Sequence, residues 1–217
     1  MALDEQVVRT RPEEITLRFY NWTLGPAGTF GYAQFISEVR RTLQERDFSA
    51  EYARRPTGGG VVFHEDDLTF SLVFSSQERP TEIYKKLHAF ILEELVAQGQ
   101  SGKVFDTHLP ASAYAPSVGH AANACFVRPV ENDLLSASGQ KMLGGAIRRF
   151  GNTVLYQGSL QLPGARTNPH YKRALLNAVR AFLAVDLHPA ACQEELLAQA
   201  RHLAQEQYQT KEWTGKF

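Results

Sequence analysis

The 217-residue chain is 43% hydrophobic and carries 23 Lys+Arg against 23 Asp+Glu, a formal net charge of zero. That length supports one domain with a full core, and the balanced charge gives no footing to nucleic acid or an anionic membrane surface as a partner. No apolar run approaches the roughly 18 to 20 residues that cross a bilayer, "MALDEQVVRTRPEE" is too acidic and polar for a secretory signal, and two cysteines build no disulfide framework, so the expected location is the cytoplasm.

"EITLRFYNW" (14–22) alternates with β-branched and aromatic residues and predicts a strand, after which "FGYAQFISEVRRTLQERD" (30–47) changes to helical spacing. "VVFHEDDLTFSLVF" (61–74) reads as a hairpin turning at Glu65 to Asp67. "RPTEIYKKLHAFILEELVAQG" (79–99) places Ile83, Leu87, Ile91 and Leu95 on one helical face, with Thr81 as cap candidate and Gly99 as the stop. Residues 101–122 are small, polar and irregular, the composition of a functional or disordered loop. "ACFVRP", "DLLSAS", "KMLGGAIRRF" and "TVLYQGSLQL" then read as an antiparallel meander. Helices are predicted over 169–185 and 188–208, ahead of a polar tail anchored by Trp213. No repeat or low-complexity tract divides the chain, so residues 1–217 are expected to form one domain.

Three stretches carry candidate chemistry. In "ARRPTGGG" (53–60), the consecutive N–H groups of Gly58, Gly59 and Gly60 can form a concavity for a carbonyl, carboxylate or phosphate, with Arg54 and Arg55 as matching charge. The same residues equally describe a tight turn beside surface arginines, and neither a Walker loop nor a dinucleotide fingerprint is present. Lys141, just ahead of Gly144 and Gly145, is either a solvated strand lysine or a fixed charge at a developing oxyanion. Cys125 reads as a small buried hydrophobe or as a nucleophile activated by Lys141, Arg55 or His120, and Cys192 reads as core. His64 and His120 stand as structural or site residues, and none of the seven histidines has metal-site spacing, so no metal is expected.

Taken together, "MALDE" (1–5), "LRFYNW" (17–22), "FGYAQ" (30–34), "RRPTGGGVVFH" (54–64), "DLLSASGQKMLGGAIRR" (133–149), "LYQGSLQL" (155–162) and the Tyr208 to Trp213 ending resemble the lipoate-protein ligase and octanoyltransferase family. The resemblance implies an α/β (α+β) domain, a mixed, largely antiparallel sheet flanked by helices, similar to the class II biotin synthetase catalytic domain. It also implies an acyl site lined by Arg54, Arg55, Gly58, Gly59, Gly60 and His64, with Gly144, Gly145, Ala146 and Gly158 opposite and Lys141 at the acyl carbonyl or an adenylate phosphate. "ACFVRPVENDLL" is similar to the octanoyltransferase branch, in which a cysteine at the place of Cys125 is the acyl-enzyme nucleophile, whereas the "QHGS" of many transferases reads "YQGS" here.

The activity implied is octanoyl (or lipoyl) transfer from acyl carrier protein, through Cys125, to a lysine of a lipoyl domain such as glycine cleavage H protein or the E2 of a 2-oxoacid dehydrogenase, without a cofactor. The alternatives are an ATP- and Mg-dependent lipoate-protein ligase forming lipoyl-AMP, which would need a partner chain because residues 1–217 leave no room for an accessory domain, and a non-catalytic acyl-binding protein of the same fold.

Overall fold

In the computed structural model, which describes residues 1–20, 22, 25–107, 126 and 129–217, the apolar periodicities become alternating helices and strands. Helix α1 (Ala2–Thr10) precedes β1 (Thr16–Tyr20), β2 (Ala27–Phe30), α2 (Ile36–Glu45), β3 (Tyr52–Arg54), β4 (Val62–His64) and β5 (Leu68–Ser75). They are followed by α3 (Pro80–Ala97), β6 (Gly102–Val104), β7 (Leu134–Ser136), β8 (Lys141–Phe150) and β9 (Thr153–Leu160). Helices α4 (Pro169–Leu183) and α5 (Glu194–Leu203), a π-helical turn (Ala204–Tyr208) and α6 (Lys211–Thr214) complete the order. None of the described helices is long and apolar enough to cross a membrane.

Six strands form an antiparallel sheet in the order β1-β5-β9-β8-β7-β6. A second sheet, β3-β2-β4, has β2 parallel to β3 and antiparallel to β4. The period of two along β5 separates two environments. Leu68, Phe70, Leu72 and Phe74 enter the main core with Tyr156 and Leu160 of β9 and with Ile83, Leu87, Ile91 and Leu95 of α3. Each of those four α3 residues is fully buried, worth about 1.5–3 kcal/mol apiece, and α4 packs Ala174, Leu175, Ala178 and Val179 into the same core. On the opposite face, Val73 and Leu155 meet Val7 and Val8 of α1 and Leu196 of α5. Farther along that face the sheet presents Thr69, Ser71, Gln157 and Ser159, all buried and polar.

Several expectations change. The 61–74 hairpin does not form: β4 pairs with β2, whereas β5 pairs with β1 and β9. The chain switches sheets at the turn, where the buried Asp67 carboxylate accepts from side chains of both sheets. The helix predicted over 30–47 begins only at Ile36, because Phe30 belongs to β2 and the carbonyls of Tyr32 and Gln34 are taken by Arg54 instead of by the next helical turn. Gly31 crosses the glycine loop so closely that a Cβ there would lie 2.0 Å from the Gly59 carbonyl oxygen.

Helix α3 starts from Arg79 with Pro80 in its first turn, two residues ahead of Thr81. The helix expected over 188–208 starts at Glu194, and Cys192, expected in the core, is exposed because residues 189–193 bury no apolar stripe. Helix α1 and strands β2, β3 and β6 were not foreseen; β6 lies inside residues 101–122, where a loop was expected, while residues 108–122 and most of the strand expected at "ACFVRP" lie outside the described residues.

Candidate active site

Between the polar face of the large sheet and the roof made by β2, β4 and the Arg55 loop lies a narrow, partly open cavity. Its floor is Gly144, Gly145 and Ala146 of β8, Gln157, Gly158 and Ser159 of β9, and Thr69 of β5. Thr29, Arg55, Val62 and His64 face them from the other side, and Phe126 stands at the β8 margin. The strand register explains the floor, since Gly144 pairs with Ser159 and Ser159 with Thr69 in one row across three strands.

The two arginines part company. Arg55 lines the cavity, with its guanidinium donating to the carbonyls of Gly58 (2.6 Å) and Gly60 (2.9 Å) and lying 3.4 Å from the Thr29 hydroxyl. Arg54, expected at the ligand, points elsewhere. It donates to the carbonyls of Tyr32, Gln34, Trp213 (2.8 Å) and Thr214 (2.8 Å) and sits over the Phe30 ring, fully buried. Gly58, Gly59 and Gly60 do not line the cavity, and the carbonyls of Gly58 and Gly60, not their N–H groups, face Arg55. Gly59 has φ +86°, a left-handed conformation that favours glycine.

The glycines of β8 and β9 also have reasons other than ligand space. A Cβ on Gly145 would meet the Tyr156 ring at 2.4 Å, and one on Gly158 would meet Phe70 and Tyr156 at 2.7 Å. At Gly144 a Cβ would strike Cε and Nζ of Lys141 at 2.4 and 2.6 Å. Gly144 therefore makes room for the lysine head itself, which brings Lys141 to the cavity margin.

His64 anchors the opposite end. Its Nδ1 is 2.8 Å from Asp67 Oδ2 and its Nε2 is 2.8 Å from the Thr29 hydroxyl, with the Trp22 ring stacked on the imidazole at 4.3 Å. Thr69 and Ser159 each donate a hydroxyl proton to the same Asp67 oxygen at 2.7 Å. Burial alone would raise the Asp67 carboxyl, but donation from His64, Ser159 and Thr69 outweighs it and holds the group below the ordinary carboxylate value. The nearby Gln157 is fixed at both ends, donating to Asp4 (2.8 Å) and accepting from Thr57 (2.7 Å), which ties the glycine loop to the sheet and to α1.

At the β8 end Lys141 is buried and paired, its Nζ 2.7 Å from Asp133 Oδ2 and 4.9 Å from the centre of the Phe126 ring. Cys125 and His120 lie outside the described residues, although Phe126, the neighbour of Cys125, stands beside Lys141. Among the described residues no three His, Cys, Asp or Glu side chains gather as a metal site. Sequence reasoning missed Asp67, Asp133, Thr69, Ser159 and Gln157. Asp67 and Asp133 did carry a signal, because each is an acidic residue immediately ahead of an apolar strand, where burial demands partners.

Residues 1–178 match the family described as Lipoyl protein ligase A/B catalytic domain. An octanoyltransferase LipM of Oceanobacillus iheyensis is 31% identical over 166 residues, which is 75% of this chain and 59% of that protein. The chain thus spans under two thirds of that relative's length. The LipM of Halalkalibacterium halodurans is 26% identical over 264 residues, covering 98% of this chain and 92% of the relative.

Among solved structures, lipoate-protein ligase A bound with ATP superposes with a TM-score of 0.75 at 22% identity, covering all of this chain and 93% of that one. The bi-partite lipoate protein ligase of Thermoplasma acidophilum, described with its E2 lipoyl domain, gives 0.74 at 20%, covering all of this chain and 91% of that one. These two similarities establish the fold, and the match over 178 residues establishes the kinship: the chain belongs to the lipoyl protein ligase A/B catalytic-domain family.

Proposed function

We propose that the chain is a cytoplasmic octanoyltransferase of protein lipoylation, one catalytic domain that moves an octanoyl group from acyl carrier protein to a lysine of a lipoyl domain without ATP. The observation that carries the reading is the buried Lys141 head at the margin of a partly open cavity, in a chain whose relatives bear the name octanoyltransferase.

In this reading Cys125, as thiolate, attacks the thioester carbonyl of the carrier. Its C–S bond forms as the carbonyl π pair moves onto oxygen, and Lys141 stabilises the oxyanion. Collapse expels the carrier thiolate, which takes up a proton, and leaves the octanoyl group on the cysteine. The neutral amine of the acceptor lysine then attacks the new thioester, forms the amide, loses a proton and returns the thiol. Glycine cleavage H protein and the E2 of 2-oxoacid dehydrogenases are the acceptors of this class. Arg55 and His64 brace the cavity wall, and the glycine backbone of β8 and β9 gives the acyl chain a flat floor.

A second reading, an ATP- and Mg-dependent lipoate ligase, draws on the structural likeness to the ATP-bound lipoate-protein ligase A. Incubation with octanoyl-carrier protein in the absence of ATP, followed by intact mass measurement, separates the two. The transferase gains one octanoyl group, Cys125→Ser loses both the adduct and the transfer, and Cys192→Ser, altered at an exposed thiol, keeps both. Lipoyl-domain labelling by Cys125→Ser from free lipoate and ATP would replace the transferase with the ligase.

A further inference from the structure

Beneath the cavity lies a buried polar chain that the reaction scheme leaves unused. The His88 ring, on α3 and fully buried, reaches the Asn132 carbonyl with Nδ1 at 2.6 Å and the Tyr156 hydroxyl with Nε2 at 2.8 Å. A carbonyl can only accept, so Nδ1 carries the proton. Desolvation lowers the imidazole pKa to about 4, so near neutral pH Nε2 is a lone pair that accepts from the tyrosine O–H. Tyr156 in turn fills the core side of Gly145, in the cavity floor.

The far end of this chain holds the counter-ion of Lys141. Asn132 has φ +72°, and its N–H donates to the Phe105 carbonyl at 2.7 Å while the Phe105 N–H returns a bond to Asp133 at 2.8 Å. The turn is pinned from β6 and from α3 at once, and it delivers the Asp133 carboxylate to Lys141 at 2.7 Å. That carboxylate also accepts from the Val130 N–H at 2.6 Å. Both side chains of the pair are buried, so a proton lost from the lysine would strand a buried anion without its cation. Burial holds the Asp133 carboxyl above its ordinary value, a rise that Lys141 and the Val130 N–H reduce without cancelling.

Building on the transferase reading, we propose that Asp133, set by the His88 and Tyr156 strut, is a positioning residue that keeps Lys141 a stationary ammonium at the acyl head. Lys141 then serves the reaction as fixed positive charge and not as a proton acceptor. The two roles respond to Asp133→Asn with opposite signs. Loss of the counter-ion makes the ammonium easier to deprotonate, so a charge role loses rate near neutral pH whereas a base role gains it.

The test is octanoyl transfer from octanoyl-carrier protein to a lipoyl domain across the pH range, with thermal melting of each variant. The titratable groups that reach the pair from packed elements include His88 of α3 and, through it, Tyr84 of α3 and Tyr156 of β9. The expected result for Asp133→Asn is a kcat lower by about 10- to 100-fold, KM for the carrier substrate little changed, and an alkaline limb displaced to lower pH. His88→Gln, which leaves the charge pair intact, is expected to lower kcat without displacing that limb. A faster Asp133→Asn enzyme near neutrality overturns the proposal. If that variant does not fold, the Nζ signal of Lys141 in ¹⁵N-lysine-labelled wild type decides: an ammonium that persists well into alkaline pH supports the proposal, and titration near neutrality overturns it. Failure of the wild type to transfer octanoyl at all would remove the transferase reading, a result distinct from either titration outcome.

Discussion

Lys141→Ala is expected to lower octanoyl transfer by two to three orders of magnitude, the effect of removing about 3 kcal/mol of charge stabilisation from a developing oxyanion. Wild-type-like turnover would exclude Lys141 from the site. The substitution also has a cost in stability, because it leaves Asp133 buried beside an empty space. A buried carboxylate without its cation escapes the penalty by binding a proton. The sign follows: the loss of stability is full where Asp133 must ionise and shrinks as acid protonates it. Melting temperatures of variant and wild type should therefore converge as pH falls, while the activity gap persists.

Much of the large sheet was legible. The meander β7, β8, β9 and the face of α3 follow directly from period-two and period-3.6 patterns, and Ile83, Leu87, Ile91 and Leu95 are all fully buried as that spacing requires. The small sheet was not, because β3 and β4 are three residues each and pair with β2 across a crossover that no local pattern encodes. Helix α1 was hidden by its own chemistry, since the buried residues that mark its inner face include Asp4 and Glu5.

At the site, neighbouring arginines with the same local signal took opposite roles. On short β3, residue 54 turns toward the carbonyls of 32, 34, 213 and 214, and the next residue turns toward the cavity. Glycine signals were misleading in a similar way, since a sequence marks where a side chain is missing but not which neighbour excluded it.

Asp67→Ala is expected to cost about 3–5 kcal/mol, the range for removing one partner from a buried charged network. His64, Thr69 and Ser159 would each lose an acceptor at once, and Arg166, whose guanidinium lies 3.8 Å from the other carboxylate oxygen, would lose a nearby anion. The folded-state carboxyl lies below its ordinary value, so its contribution is present above the unfolded value and is lost as pH falls through the folded one. Urea midpoints should show a wide gap between variant and wild type at pH 7 that narrows below about pH 4. An unchanged midpoint at pH 7 would mean that the three donors find water instead.

The knot at Arg54 bears on the order in which the molecule assembles. A fully buried guanidinium draws its acceptors from residues 32 and 34 on one side and from residues 213 and 214 on the other, a span of about 160 residues. Closing so long a segment is slow, and until it closes the cation keeps its water. The strand that leads into the glycine loop is therefore secured only when the last helix arrives, after β5 and β9 have already joined. Pulse-labelled amide exchange during refolding should find protection at residues 70–74 and 154–159 before protection at Arg55. A sheet that is already formed would thus stand beside a cavity wall that is still unfinished until the Arg54 contacts close.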